Sequence, residues 1–360
     1  MPRRFINNIS DVCIKTDATI HMAASAIDRS AVGICIVTNE EYHFKNIITD
    51  GDIRRAMLDG FSLDKSIEVL INRKADSQYS NPTTARKDDN DARLLKLMHE
   101  RDLIHIPILD ENERVVDVGL LSHLVSDTIE PIKAVVMAGG FGTRLMPLTE
   151  DTPKPMLSVG DRPLMERTIE QLRDAGIIDI SVTTHFKPEK IRSHFGTGKD
   201  FGVNLKYIQE DQPLGTAGSL KLLEKSTETL LVINGDILTN INYTAMRQYH
   251  KTHHADLTVA VRQYEIDVPY GVIDCTGAKV IAVNEKPNYS FLVNAGIYLI
   301  EPKVLSAIPD DKQFDMTNLI EHLLNNNANV VSFPIREYWL DVGQIDDYDQ
   351  AQEDARTKFS

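Results

Sequence analysis

At 360 residues the chain is longer than a single hydrophobic core usually serves, so two or three domains are expected. Apolar residues make up 42% and charged residues 26%, the profile of an ordinary globular protein rather than a disordered or fibrous one. The formal net charge of −14 argues against a nucleic-acid partner, because a phosphate backbone attracts an excess of Lys and Arg. A small polyanionic substrate would need a local basic cluster or a metal. Cys13, Cys35 and Cys275 are an odd set without short spacing, which suggests free thiols in a reducing cytoplasm rather than a disulfide framework or zinc site. The start, MPRRFINNIS, is basic but has no apolar stretch behind it, and no run approaches the length of a membrane span. A cytoplasmic protein with no membrane partner is expected.

In chain order, two segments repeat one pattern. Residues 23 to 53 and 94 to 124 each read as an amphipathic helix, an apolar strand, a polar turn, a second apolar strand and the start of another helix. The pair resembles a tandem of cystathionine-beta-synthase-type (CBS) repeats, and residues 1–130 are expected to form such a regulatory or dimerising module. Within it Thr49-Asp50-Gly51-Asp52 resembles the nucleotide-binding Thr-x-x-Asp of these repeats. The resemblance implies a regulatory nucleotide at Thr49 and Asp52, with Asp52 on a ribose diol and Arg54 or Arg55 on a phosphate. Two departures count against it: Asn46 stands where glycine is usual, and the second repeat has Ser122-His123-Leu124-Val125 without the Asp. One nucleotide site, or a pair serving only as a dimer interface, both stay open.

After Glu130-Pro131 the pattern becomes alternating strand and helix, so residues 131–360 are expected to be a separate α/β domain with a Rossmann-like, mostly parallel, doubly wound sheet. The spacing predicts strands at 132–138, 178–184, 204–209 and 229–234. Helices are predicted at 162–175 (closed by Gly176), from Pro188 to Gly196, at 216–225 and at 243–253. Ligands in such sheets lie at the carboxyl ends of strands, which selects the loops after Ala138, Gln209, Asn234, Val283, Val293 and Trp339.

The loop Ala138-Gly139-Gly140-Phe141-Gly142-Thr143-Arg144-Leu145 follows the first strand, and its glycines let backbone N–H groups approach phosphate oxygens. It is neither a Walker loop nor a dinucleotide fingerprint, since no Gly-Lys-Ser/Thr follows and Leu145 replaces the third glycine. Shortly after it, Lys154 stands between Pro153 and Pro155, which stiffen the segment and present the ammonium at low entropic cost. Asn234-Gly235-Asp236 and Trp339-Leu340-Asp341-Val342-Gly343 each place a carboxylate beside a glycine. His250 and His254 are four apart, but Lys251 replaces the Glu of a zinc protease, and a solvated helix end is expected there. Asp315 is expected to cap a helix.

AGGFGTRLMPLTEDTPKPM, with the later segments in order, resembles the signature of the sugar-1-phosphate nucleotidyltransferases, or nucleotide-sugar pyrophosphorylases, over residues 132 to about 350. The resemblance implies that Ala138, Gly139, Gly140, Gly142, Thr143 and Arg144 hold a triphosphate and that Lys154 contacts the reacting phosphoryl group. It further implies that Glu210, Pro213, Gly215 and Thr216 meet the base, and that Asp236 and Asp341 hold Mg2+, a hard ion suited to one or two carboxylates plus phosphates. Glu285, Lys286, Asn294 and Gly296 would bind the sugar 1-phosphate.

Glu210 stands where relatives have Gln, and a carboxylate can accept from both N1–H and N2–H of guanine, so GTP is the expected nucleotide. The expected reaction joins a nucleotidyl group to a glucosamine-, mannose- or heptose-type sugar 1-phosphate, releasing pyrophosphate. Thymidylyl or uridylyl transfer and a non-catalytic regulatory relative are the alternatives. A homo-oligomer is expected, without the left-handed helical acetyltransferase domain of some relatives.

Overall fold

The computed structural model describes residues 8–30, 32–74, 80–101, 103–124, 132–224, 226–310 and 312–358. The basic N-terminal residues 1–7, Val125 of the second repeat and the Glu130-Pro131 boundary lie outside these. The chain divides into two compact units, one within Met1–Ile129 and one within Glu130–Ser360.

The first unit is built from two similar halves. One runs β1 (Cys13–Lys15), α1 (Ile20–Ser30), β2 (Ile34–Thr38), β3 (Phe44–Thr49), α2 (Asp50–Leu58) and α3 (Glu68–Lys74). The other runs β4 (Ala85–Arg86), α4 (Asp91–Glu100), β5 (His105–Leu109), β6 (Val115–Leu120) and α5 (Leu121–Leu124). Each half holds a three-stranded sheet, β1-β2-β3 and β4-β5-β6, with one parallel and one antiparallel pairing.

Strand β2 explains how the halves join. Side chains alternate along a strand. Cys35 and Val37 enter the core beneath α1 and α2, whereas Ile34 and Ile36 pack with Leu109, Val115, Val118 and Leu120 of the other half. With both faces covered, the whole strand is buried, which is why it reads as a continuous apolar run.

The second unit opens with β7 (Lys133–Met137), the short β8 (Ser158–Val159) and β9 (Arg162–Pro163), then α6 (Leu164–Asp174), β10 (Asp179–Thr184), α7 (Pro188–Phe195) and β11 (Asn204–Gln209). It continues with α8 (Gly215–Gly218), β12 (Leu230–Asn234), β13 (Ile237–Thr239), α9 (Tyr243–Thr252), β14 (Leu257–Asp267), β15 (Val272–Thr276), β16 (Lys279–Asn284) and β17 (Asn288–Ile300). It closes with α10 (Met316–Asn325), β18 (Val330–Ile335), β19 (Trp339–Asp341) and α11 (Ile345–Lys358).

The central sheet has the order β11-β10-β7-β12-β17-β14-β18. All its pairings are parallel except those of β17 with β12 and β14. Ala134 and Val136 of β7 and Leu231 and Ile233 of β12 enter a core with Met165, Ile169, Ile191 and Met246. Val135, Leu230 and Val232 enter another with Ala217, Leu220, Met316 and Leu319. The alternation therefore buries one sheet face under α6, α7 and α9 and the other under α8 and α10, a doubly wound arrangement. The chain leaves β7 for β10 and β11 on one side and returns to β12 on the other. The switch point thus lies between β7 and β12, where a crevice opens at the strand ends.

Several elements depart from expectation. The helix expected at 216–225 is only one turn, α8, followed by a 3-10 turn at Ser219–Leu222. Its first N–H groups are diverted outside the helix, Ala217 and Gly218 both donating to the Phe314 carbonyl. Val283 and Val293 were expected to end strands, but they lie inside β16 and β17. His250 is not solvated: it is 3% exposed, with ring nitrogens 2.7 Å from Thr258 Oγ1 and 3.1 Å from Glu301 Oε1. Burial holds its pKa below the ordinary histidine value, with Glu301 opposing. Among the described residues no helix is long and apolar enough to cross a membrane.

Candidate active site

Gly142 begins the site because no other residue fits there. Its φ is +63, and an added Cβ would stand 2.9 Å from Thr149 Cγ2 and 3.1 Å from Lys154 Cβ, so a side chain would be both strained and obstructed. Thr149 Oγ1 donates to the Gly142 carbonyl at 2.8 Å. The glycine loop is thereby folded onto the Lys154 segment, with Thr143 and Arg144 exposed in a single 3-10 turn. Gly140 has open space where a Cβ would be, which leaves its backbone accessible to a ligand.

Two short strands deliver the carboxylates. Gly235 crosses the end of β7, donating its N–H to the Met137 carbonyl at 2.9 Å; a Cβ there would be 2.7 Å from that oxygen. Asp236 follows, and β13 then pairs antiparallel with β19 so that Ile237 faces Asp341. The Val342 N–H donates to the Asp236 carbonyl at 3.0 Å. Beneath this ladder Val159, Leu164, Leu238, Val342, Ala351 and Ala355 form a separate apolar cluster. Residues 105 apart in sequence are thus held side by side.

Lys154 Nζ lies 2.5 Å from Asp236 Oδ2 and 3.9 Å from Asp341 Oδ1. Burial and the neighbouring Asp236 charge raise the Asp341 pKa, against the opposing pull of Lys154 and Arg144. Asp236 Oδ1 is buried and has no hydrogen-bond partner among the described residues, as does Asn234 Oδ1. Native structures rarely leave such acceptors empty, and an orphaned carboxylate oxygen beside a second carboxylate is what a hard divalent cation would take. The residues present therefore fit a cation completed by substrate oxygens, although no cluster of three protein ligands exists among the described residues.

The other wall lies at the ends of β10 and β11. Glu210 is 8% exposed; its Oε2 accepts from the Leu214 N–H at 3.1 Å, and Oε1 lies 2.8 Å from where a Gly139 Cβ would stand. Burial raises its pKa, opposed by the Leu214 N–H, His185 and Thr183. Pro213 is exposed, while Gly215 and Thr216 are half-buried in the following turn.

Sequence reasoning passed over His185, because it omitted the loop after Thr184. Its Nδ1 lies 2.9 Å from the Glu210 carbonyl, and its ring meets Phe141 edge-on at 5.3 Å. Being the loop after a strand next to β7, it could have been found by the same strand-end rule.

The proposed sugar-phosphate residues are placed unevenly. Gly296, with φ +71, abuts Asn234, whose Nδ2 is 2.6 Å from the site of a Cβ. Asn294 Oδ1 accepts from the Gly296 N–H at 3.0 Å, and Trp339 Nε1 donates to the Ala295 carbonyl at 2.9 Å. Glu285 and Lys286 are exposed on the segment between β16 and β17, with Glu285 packed at Gly271. Among the described residues neither is hydrogen-bonded or ion-paired to the carboxylate pair or the glycine loop.

In the first unit, Thr49 and Asp52, the residues expected at a nucleotide, are bonded to each other. Thr49 is the N-cap of α2 and Asp52 closes a capping box with it. The Asp52 carboxylate, 7% exposed, accepts from the Thr49 N–H at 2.8 Å, meets Arg55 at 2.5 Å and is ion-paired with Lys74. The oxygens meant for a ribose diol are engaged within the protein. Arg54 is likewise buried against Asp50 at 2.5 Å.

A model of the nucleotidyl transferase family matches residues 133–358, and a CBS domain model matches residues 6–59. Mannose-1-phosphate guanyltransferases of Schizosaccharomyces pombe and Saccharomyces cerevisiae are each 33% identical, over 227 and 228 residues. Those matches cover 60% of this chain and 62% and 63% of the relatives, so the chain spans less than two thirds of their length. A Bacillus anthracis structure named as a glucose-1-phosphate thymidylyltransferase, in complex with sucrose, aligns with a TM-score of 0.53 and 27% identity. It covers 63% of this chain and 96% of the other. With the glycine loop, lysine and paired carboxylates gathered at the switch point, the chain belongs to the nucleotidyl transferase family and carries a CBS domain ahead of that unit.

Proposed function

We propose that the second unit transfers a nucleotidyl group, with guanylyl favoured, from a nucleoside triphosphate to a sugar 1-phosphate. The observation that carries this reading is Lys154 held against Asp236 and near Asp341, beneath the glycine loop, with one Asp236 oxygen left without a partner. In the reaction a sugar-phosphate oxygen bonds to the α-phosphorus, the α–β bridging bond breaks, and its electron pair departs with pyrophosphate.

The nucleophile brings its own charge, because a phosphate monoester is largely ionised at neutral pH. No protein base is needed. The protein must instead align two polyanions and neutralise them. The glycine loop offers backbone N–H groups, Arg144 and Lys154 offer fixed positive charge, and Lys286 is assigned to the sugar phosphate, with Glu285 and Asn294 on its hydroxyls. Asp236 and Asp341 would hold Mg2+, which when bound supplies further charge neutralisation at the phosphates.

Glu210 supports guanine, since a buried carboxylate beside Gly139 offers acceptors where that base has donors. The name of the Bacillus anthracis neighbour favours thymidylyl transfer as the second reading. Pyrophosphate release measured with each triphosphate and a panel of sugar 1-phosphates separates the two, and its absence with every pair would leave the non-catalytic reading. The product would serve nucleotide-sugar or glycan biosynthesis in the cytoplasm, where the free Cys13, Cys35 and Cys275 fit a reducing environment.

For the first unit we favour a structural or dimerising role over a nucleotide site at Thr49 and Asp52, because the capping box already uses those atoms. Self-association has a second support. Strands β15 and β16 form a two-stranded sheet of their own, and Ile281 and Val283 on β16, with Tyr264 on β14, Tyr270 before β15 and Phe291 on β17, are more than half exposed. An isolated two-stranded sheet is marginal in water, and exposed apolar side chains in this number suit a contact surface, which we assign to a second copy of the chain.

A further inference from the structure

We propose that Asp315, beyond capping α10, is a positioning residue for base selection; the inference rests on the nucleotidyl-transfer reading above. Asp315 precedes α10 as its N-cap, about a hundred residues from the turn Leu214–Gly218, yet its Oδ1 accepts from the Thr216 N–H at 3.0 Å. The turn is bonded to the segment before α10 along its whole length. The Phe314 N–H donates to the Leu214 carbonyl at 2.8 Å, and the Phe314 carbonyl accepts from Ala217 and Gly218 at 2.9 and 2.8 Å. Thr216 Oγ1 accepts from the Met316 N–H at 2.9 Å.

Gly215 shows how close this contact is. At φ +80, its ideal Cβ would lie 2.6 Å from Asp315 Oδ1 and 2.8 Å from the Phe314 carbonyl oxygen. The glycine is required by the brace behind the turn as well as by the backbone angle. At its other end the turn is tied to Glu210 through the Leu214 N–H at 3.1 Å.

A turn that reads a base through side chain and backbone must hold its atoms to within a fraction of an ångström, and supporting contacts decide whether it does. Asp315 Oδ1 supplies a side-chain acceptor in that support, facing both the N–H and the hydroxyl of Thr216. Losing it would let Thr216 and Gly215 move relative to Glu210. The phosphate loop and Asp236 pair lie on other elements and would stay in place.

The test separates capping from bracing. Asp315→Ser keeps a favoured N-cap but is too short to reach Thr216, whereas Asp315→Asn keeps both the cap and an acceptor oxygen. Calorimetric binding of GTP, ATP, UTP and dTTP to the full chain in magnesium buffer is compared with thermal unfolding for all three proteins. Asp315→Ser should unfold close to wild type yet lose about tenfold in the ratio of its best nucleotide to the next. Asp315→Asn should keep that ratio.

Wild-type selectivity in Asp315→Ser, or an equal loss in Asp315→Asn, overturns the inference alone. If wild type binds no nucleotide, the parent reading falls and takes this one with it. Should Asp315→Ser fail to fold, Asp315→Thr decides, since it too keeps an N-cap and lacks the reach to Thr216. Reduced selectivity then supports the brace, and unchanged selectivity overturns it.

Discussion

Glu210→Gln inverts one hydrogen-bonding atom without changing the size of the side chain. In the structure Oε2 of Glu210 accepts from the Leu214 N–H and Oε1 lies toward Gly139. The Gln carbonyl can take over the Leu214 bond, so the turn keeps its shape, while the amide nitrogen replaces the acceptor on the Gly139 side. Guanine N1–H and N2–H would then meet a donor. At a position this buried, an unmatched polar group costs about 1–3 kcal/mol, a ten- to hundredfold effect on selection.

The assay is kcat/KM for GTP, ATP, UTP and dTTP in both proteins, with sugar 1-phosphate saturating. GTP use should fall and its lead should narrow, whereas the other triphosphates change little. Because burial raises the Glu210 pKa, the GTP preference should also fade on acidification sooner than an ordinary carboxylate would allow. A wild-type preference for another base, or a variant with the same ranking and ratios, refutes the assignment of Glu210.

Asp236→Ala and Asp341→Ala should each lower kcat by about a hundredfold or more with far-UV circular dichroism unchanged; near-normal turnover by either removes it from the metal pair. Lys154→Ala should reduce kcat more than it raises KM for the triphosphate, since charge grows at the reacting phosphorus, and a pure KM effect would make it a binding residue only. Asp52→Ala should destabilise the first unit by about 1–3 kcal/mol, because it removes the capping-box carboxylate and its ion pairs with Lys74 and Arg55, as read from urea unfolding. Burial pushes the Asp52 pKa up, but Lys74, the Thr49 N–H and Arg55 outweigh it and hold it low. Its contribution should therefore be complete above an unfolded value of about 3.9 and vanish as pH falls through the lower folded value; unchanged acid stability in Asp52→Ala would contradict this. Ile281→Glu with Val283→Glu, both at exposed positions, should turn a dimer into a monomer by light scattering, and an unchanged mass would clear β16 of that role.

The parts legible in the sequence are those encoded within short windows. Ala134 to Met137 read as a buried strand because both faces of β7 are covered, and the glycines after it read as a close-approach loop for the reason Gly142 demonstrates. Lys154 stood out through its flanking prolines. What was hidden depends on contacts between distant segments. Nothing local in Trp339-Leu340-Asp341 says that β19 will pair with β13 and bring Asp341 beside Asp236.

The shortened α8 is similar, since the turn is bonded to Phe314, about a hundred residues on, and the chain after it turns extended at Leu223. His250 followed a helix-end pattern that suits solvent, but Thr258 and Glu301 supply the partners that make burial tolerable. Thr49 and Asp52 show the converse problem: one spacing serves a capping box and a ribose contact alike, and nothing local in it announces the ion pairs of Asp52 with Lys74 and Arg55.

The most direct measurement is pyrophosphate release by the full chain in magnesium buffer, with GTP and mannose-, glucosamine- and heptose-type 1-phosphates, alone and in pairs. The account predicts release only when both substrates are present, with the nucleotide-diphosphate sugar formed in equal amount and release abolished by chelation. Nucleotide binding without pyrophosphate from any pair, with UTP, dTTP and ATP also tried, would contradict it.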